Sequence, residues 1–140
     1  MNILVIDGQG GRIGRLFIEG LRQRSAEAHI IAVGSNAIAT AAMLKAGADE
    51  GATGENPVVY NSRFADIIVG PIGILLANAL TGEITPRMAE AVSESPASKV
   101  LIPSNRCSHT IVGLSPLSLP ELVEAFDIKG ISKSPAIFDI

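Results

Sequence analysis

Short aliphatic runs alternate along this chain with stretches whose apolar positions recur at helical spacing. Residues 2–7 (NILVID) carry an unbroken aliphatic run at 3–6, as expected of a strand buried on both faces. Over 12–23, Ile13, Leu16, Phe17 and Leu21 share one stripe while Arg15, Glu19 and Arg22 lie off it, which predicts an amphipathic helix. Gly20 falls on that stripe, and its missing side chain predicts a close helix-to-strand approach. HIIAV at 29–33 predicts a second strand, followed by a helix over 36–46 capped by Asn36. Residues 47–56 (GADEGATGEN) read as a turn-rich connector, VVY at 58–60 as a third strand, DIIVG at 66–70 as a fourth, and 72–80 as a helix. Thr85 as cap and Pro86 in the first turn open another helix. KVLIP at 99–103 predicts a fifth strand, TIVG at 110–113 a sixth, and 119–126 a last short helix.

Strands alternating with helices predict a mainly parallel sheet with helices on both faces. Right-handed crossovers then give a doubly wound α/β sheet of five to six strands in the order 3-2-1-4-5. The 140 residues suit one domain spanning 1–140. An apolar content of 47% against 18% charged argues against disorder. Aromatics at 4% and a net charge of −3 offer neither stacking platforms nor a basic footprint, so no nucleic acid is expected as partner. Cys107 is the single cysteine and cannot pair within the chain. The apolar stretches near 67–80 are broken by Gly, Pro and Asn and are too short for a bilayer, and the chain enters its first strand without a basic leader. The expectation is a cytoplasmic protein without membrane contact.

Candidate chemistry concentrates in the first strand-to-helix turn, DGQGGRIGR at 7–15. Glycines at such a turn let a ligand phosphate approach backbone N–H groups at a helix N-terminus. The usual dinucleotide spacing places a third glycine at 13, where this chain has Ile13; the pattern here is Gly8-x-Gly10-Gly11-x-x-Gly14. No Gly-Lys-Ser/Thr follows, so nucleotide triphosphatase chemistry is not expected. The bland alternative is a tight turn without ligand. Asp7, just before the turn, would repel a phosphate unless a cation bridged them; otherwise it accepts loop N–H bonds.

GQGGRIGR at 8–15 is similar to the cofactor loop of dihydrodipicolinate reductases, in which that loop cradles the pyrophosphate of a nicotinamide dinucleotide. The resemblance implies the same use of Gly8, Gly10, Gly11, Arg12, Ile13 and Gly14, and Gln9, inside the run, stands with them as a candidate cofactor-binding residue. It stops at the turn and its helix; the substrate domain and catalytic signature of those reductases are missing. Over residues 1 to about 126, the runs IDGQGGRIG, AVGSNAIATAAMLKAGADEGATGEN, ADIIVGPIGI and KVLIPSNRC resemble the bacterial domain of unknown function 3842 family. That resemblance implies a small Rossmann-like protein and no particular activity.

The predicted strand ends supply the remaining candidates. Ser35 and Asn36 follow the second strand, Gly70, Pro71 and Gly73 the fourth, and Asn105 and Cys107 the fifth, all on the edge where doubly wound sheets bind ligands. About twenty residues past the turn an acid ordinarily takes the ribose hydroxyls of NAD. Ser35 and Asn36 stand there instead and would tolerate a 2′-phosphate, with Arg12 supplying charge, which leans towards NADP over NAD. Asn36 serves equally as a helix cap. Cys107 and His109 form a Cys-x-His pair, read more simply as a packed thiol beside an exposed histidine; His29 reads as surface. Asp49, Glu50 and Glu55 read as a solvated turn, and no metal site is expected.

Helices 36–46 and 72–80 are apolar nearly all round, which predicts a homo-oligomer, dimer or higher. The leading expectation is a nucleotide-binding or NAD(P)-binding module. One rival is a small enzyme on a phosphorylated or nucleotide substrate, using Asp7, Asn105 or Cys107 at a crevice shared between subunits. The other is a ligand-free structural or interaction protein.

Overall fold

In a computed structural model of the chain, the structure describes residues 1–24, 27–103, 109–112 and 117–125. Five parallel strands form one sheet in the order β3-β2-β1-β4-β5. They are β1 (Asn2–Asp7), β2 (His29–Gly34), β3 (Glu50–Thr53), β4 (Ile67–Pro71) and β5 (Ser98–Ile102). Register runs Asn2 against His29 to Asp7 against Gly34, so the carboxyl ends of β1 and β2 are level. The helices are α1 (Arg12–Arg24), α2 (Ala37–Lys45), α3 (Glu55–Asn61), α4 (Pro86–Glu94) and α5 (Leu119–Ala125). This is the doubly wound α/β order expected from the alternation of strands and helices.

The pleat of β1 divides the core. Ile3 and Val5 join Phe17, Ile18 and Leu21 of α1, Met43 of α2 and Val123 of α5 on one face. Leu4 and Ile6 join Val58 of α3 and Met88, Ala89 and Val92 of α4 on the other. Each fully buried large aliphatic or aromatic side chain contributes on the order of 1.5–3 kcal/mol. Caps fall where the sequence puts them: Asn36 Oδ1 accepts the Ala39 N–H at 2.9 Å, and Thr85 Oγ1 accepts the Met88 N–H at 3.1 Å.

Several local expectations are corrected. The third strand lies inside the supposed connector, and residues 58–60 belong to α3. An edge strand needs little apolar content, and Gly51 lets Leu44 lie across it, since a Cβ there would come within 2.7 Å of Leu44 Cδ1. Val58 and Val59 are buried, but from two turns of helix rather than from a strand. Residues 72–80 do not form an α-helix: a 3-10 turn spans Ile72–Leu75, and the chain then reverses through left-handed backbone at Asn78, Leu80, Thr81 and Gly82. Their apolar side chains turn inward, Ile74 fully and Leu75, Ala79 and Leu80 in part. Residues 110–112 are not a strand. Gly20 makes room for α5 instead of a strand, because a Cβ there would stand 2.8 Å from Val123 Cγ1.

Candidate functional site

β1 ends beneath the glycine turn. The Asp7 carbonyl accepts the Ser35 N–H at 2.9 Å, tying the ends of β1 and β2, and Gly11 N–H donates to the Gly8 carbonyl at 2.9 Å to close the turn. α1 starts at once, with Arg15 N–H on the Gly11 carbonyl. The Asp7 carboxylate is buried and points inward, its two oxygens accepting Gly8 N–H at 2.8 Å and Gly14 N–H at 2.7 Å. Burial pushes its pKa up, more than the Gly14, Gly8 and Ile13 amides pull it down, and the neighbouring Glu83 carboxylate adds to the rise. Asp7 is therefore an internal acceptor for the turn and the first turn of α1.

The four glycines of the turn separate by cause. Gly11 has φ +68°, and its Cβ would stand 2.8 Å from Ala39 Cα, so the start of α1 rests on the start of α2. At Gly14 a Cβ would strike Met43 Sδ and stand 3.1 Å from Asp7 Cβ. At Gly8 it would meet Ser35 Oγ at 2.5 Å, Glu83 Oε2 at 2.7 Å and Leu80 Cδ1 at 2.8 Å. Gly10 differs from all three: its backbone lies outside the left-handed region and a Cβ there would meet nothing within 4 Å. Packing and backbone geometry leave this glycine unexplained. The amide N–H groups of Gly10 and Arg12 also have no partner among the described residues.

A carboxylate absent from the sequence-derived site stands at the end of β2. Glu83 Oε2 accepts Gln9 N–H at 2.9 Å, Asn36 Nδ2 at 2.9 Å and the Ser35 hydroxyl. Asn36 Nδ2 also donates to the Gln9 carbonyl at 2.9 Å, so Gln9, Ser35, Asn36 and Glu83 form one cluster. Burial raises the Glu83 pKa, but the Ser35 hydroxyl, the Gln9 amide and Asn36 together outweigh it and hold the group below the usual carboxylate range. Glu83 arrives on the segment with φ values of +64° at Asn78, +55° at Leu80 and +59° at Thr81. For non-glycine residues such backbone costs on the order of 1–3 kcal/mol each. Nothing in the linear sequence pairs Glu83 with residues 9, 35 and 36. The available signal was topological: the segment following β4 starts from the carboxyl edge of the sheet, so a carboxylate there belonged among the candidates.

Of the sequence-derived candidates, residues 8–14, Ser35 and Asn36 gather at one edge. Gly70, Pro71 and Gly73 are buried, and a Cβ at Gly70 would collide with the Ile6 carbonyl, so that glycine has a packing cause. Arg12 is exposed at the head of α1. Asn105 and Cys107 lie outside the described residues, and His109 is exposed. His29 Nε2 pairs with Glu50 at 2.9 Å, Asp49 with Arg22 at 2.6 Å, and Glu55 with Thr85 at 2.5 Å. His29 Nδ1 also lies 3.6 Å from Asp49, so Asp49 and Glu50 share His29 while Glu55 is engaged apart from them, and among the described residues no three of His, Cys, Asp and Glu gather as a metal site. A groove of about 410 Å³ between α3 and α4 is lined by none of the turn residues. No helix among the described residues is long and apolar enough to cross a membrane.

A crystal structure titled as a dodecameric FMN-dependent UbiX-like decarboxylase from Escherichia coli O157:H7 is similar to 87% of this chain and 73% of its own, at 17% identity and a TM-score of 0.44. A likeness of that degree transfers neither ligand nor assembly. No curated protein matches the chain. Residues 2–134 match the family model described as Domain of unknown function (DUF3842), and the chain belongs to that family.

Proposed function

We propose that the crevice over the glycine turn binds a nucleotide through its phosphate, a nicotinamide dinucleotide being the candidate that the turn resembles. The observation that carries this reading is Gly10, a glycine that neither fold nor backbone requires, with open space where its Cβ would be. A ligand phosphate needs such space to reach backbone amides. The unpartnered N–H groups of Gly10 and Arg12 and the exposed Arg12 side chain support an anion at this place. Titration calorimetry and thermal shift against NAD, NADP, their reduced forms and FMN, whose monophosphate suits the same turn, test it. Heat or stabilisation with at least one is expected, and none with any would refute it.

A second reading, a crevice that the protein fills by itself, draws on Asp7 and Glu83, which already take the amides of Gly8, Gly14 and Gln9. Gly10 separates the two, because a self-filled crevice has no use for open space at that position.

A further inference from the structure

We infer that Glu83 reads the ribose of the bound nucleotide, accepting the hydroxyls of an unphosphorylated ribose and excluding a 2′-phosphate. The inference rests on the nucleotide reading above and assigns the sugar that its site takes.

Position comes first. In doubly wound sheets the adenosine ribose lies at the carboxyl end of β2, where an acid on that strand ordinarily meets its hydroxyls. Here the strand ends at Gly34 and is followed by Ser35 and Asn36, and the acid comes from a segment following β4. Its carboxylate nevertheless stands at that strand end, bonded to Ser35 and Asn36, and at the glycine turn through Gln9. An acid thus does stand at the end of β2, which removes the reason to expect a 2′-phosphate there.

The two carboxylate oxygens are used unequally. Oε2 is held by three donors, while Oε1 has no partner among the described residues. One oxygen is anchored and the other is left to accept a hydroxyl, with the rotation of the side chain already restricted. The donors on Oε2 are neutral, and among the described residues no Lys or Arg pairs with Glu83. Glu83 thus carries its charge without a cationic partner, which favours hydroxyl donors at Oε1 and disfavours a phosphate ester placed directly against it. Leu80 seats the segment over the turn, because a Cβ at Gly8 would meet both Leu80 Cδ1 and Glu83 Oε2.

ADP-ribose and its 2′-phosphate, titrated calorimetrically against the full chain and its E83Q and E83A variants, test this, with thermal denaturation reporting folding. The wild type should bind ADP-ribose at least about ten-fold tighter, the size of one charge-assisted hydrogen bond. E83Q, which keeps the shape and loses the charge, should narrow the difference to within about three-fold, and E83A should erase it. Equal binding of both ligands by the wild type, or tighter binding of the 2′-phosphate, would overturn the inference. So would discrimination retained in folded E83Q, or a uniform gain for both ligands in E83A, which would make Glu83 a plug. Binding of neither ligand to any of the three proteins, joined to silence with NAD, NADP and FMN, would overturn the nucleotide reading as well.

Discussion

Gly10→Ala should make the protein more stable and its crevice useless. An alanine Cβ there meets no atom within 4 Å, and the backbone lies outside the left-handed region, so the folded state bears no penalty. Replacing glycine at an unstrained site restricts the unfolded chain and stabilises by about 0.4–1 kcal/mol. For a chain of this size that raises Tm by about 1–4 °C. A phosphate using the Gly10 and Arg12 amides would be pushed away by the added methyl. Losing one charge-assisted hydrogen bond at about 1.5–3 kcal/mol weakens binding roughly ten- to hundred-fold. Urea denaturation and calorimetry on the same preparation measure both quantities. Gly14→Ala is the contrast. Its Cβ runs into Met43 Sδ, an overpacking of about 1–3 kcal/mol offset by up to about 1 kcal/mol of helix propensity, so this variant loses stability. The reasoning fails if Gly10→Ala binds as the wild type does, or if it is less stable by more than about 1 kcal/mol.

Other outcomes follow from the same contacts. Thr85→Ala removes the α4 cap and the Glu55 bond and should lower the urea-derived stability by about 1 kcal/mol; an unchanged midpoint would contradict the capping role. Because the folded pKa of Glu83 is lowered, its contribution is complete above the ordinary value of 4.5 and lost as pH falls through the folded value, so E83Q should flatten the stability curve on the acid side. Asp7 acts in the opposite sense: with a raised folded pKa, its contribution is full below 3.8 and declines as pH rises through the folded value, a slope that E83Q should lessen by Glu83's share without abolishing it, because burial is the larger cause. On α2, Ile38 is 72% and Leu44 41% exposed, and we expect a second copy of the chain to cover them. Native mass spectrometry should show association in the wild type and single subunits in an I38K/L44K variant; a monomeric wild type would end that expectation.

The strand order was legible because β1, β2 and β4 are continuous aliphatic runs between helices with recognisable caps. The edge was not. β3 is four residues, EGAT, bearing none of the apolar signal that marks a buried strand, while the two valines after Pro57 carry that signal inside a helix too short to display its period. Residues 72–80 misled for a related reason. Their apolar content reports burial, and burial is achieved there by a 3-10 turn and a left-handed reversal as well as it would be by a helix. In the site, Gly8, Gly11 and Gly14 were visible as a motif, but only the folded packing separates them from Gly10, because the neighbours that explain them come from distant elements. Glu83 escaped because its donors are remote in the chain.

That remoteness bears on how the protein acquires its site. Gln9 and Glu83 are 74 residues apart, and Ser35 and Glu83 are 48 apart. The segment from β1 to α2 can close its turn and cap its helices through near neighbours, yet it carries no carboxylate over β2 until β4 has paired with β1 and the reversal behind it has docked. Long loops close late and slowly. The crevice is thus a product of long-range contacts as well as of the glycine motif, and ligand affinity during refolding would time the docking of the Glu83 segment onto the first half.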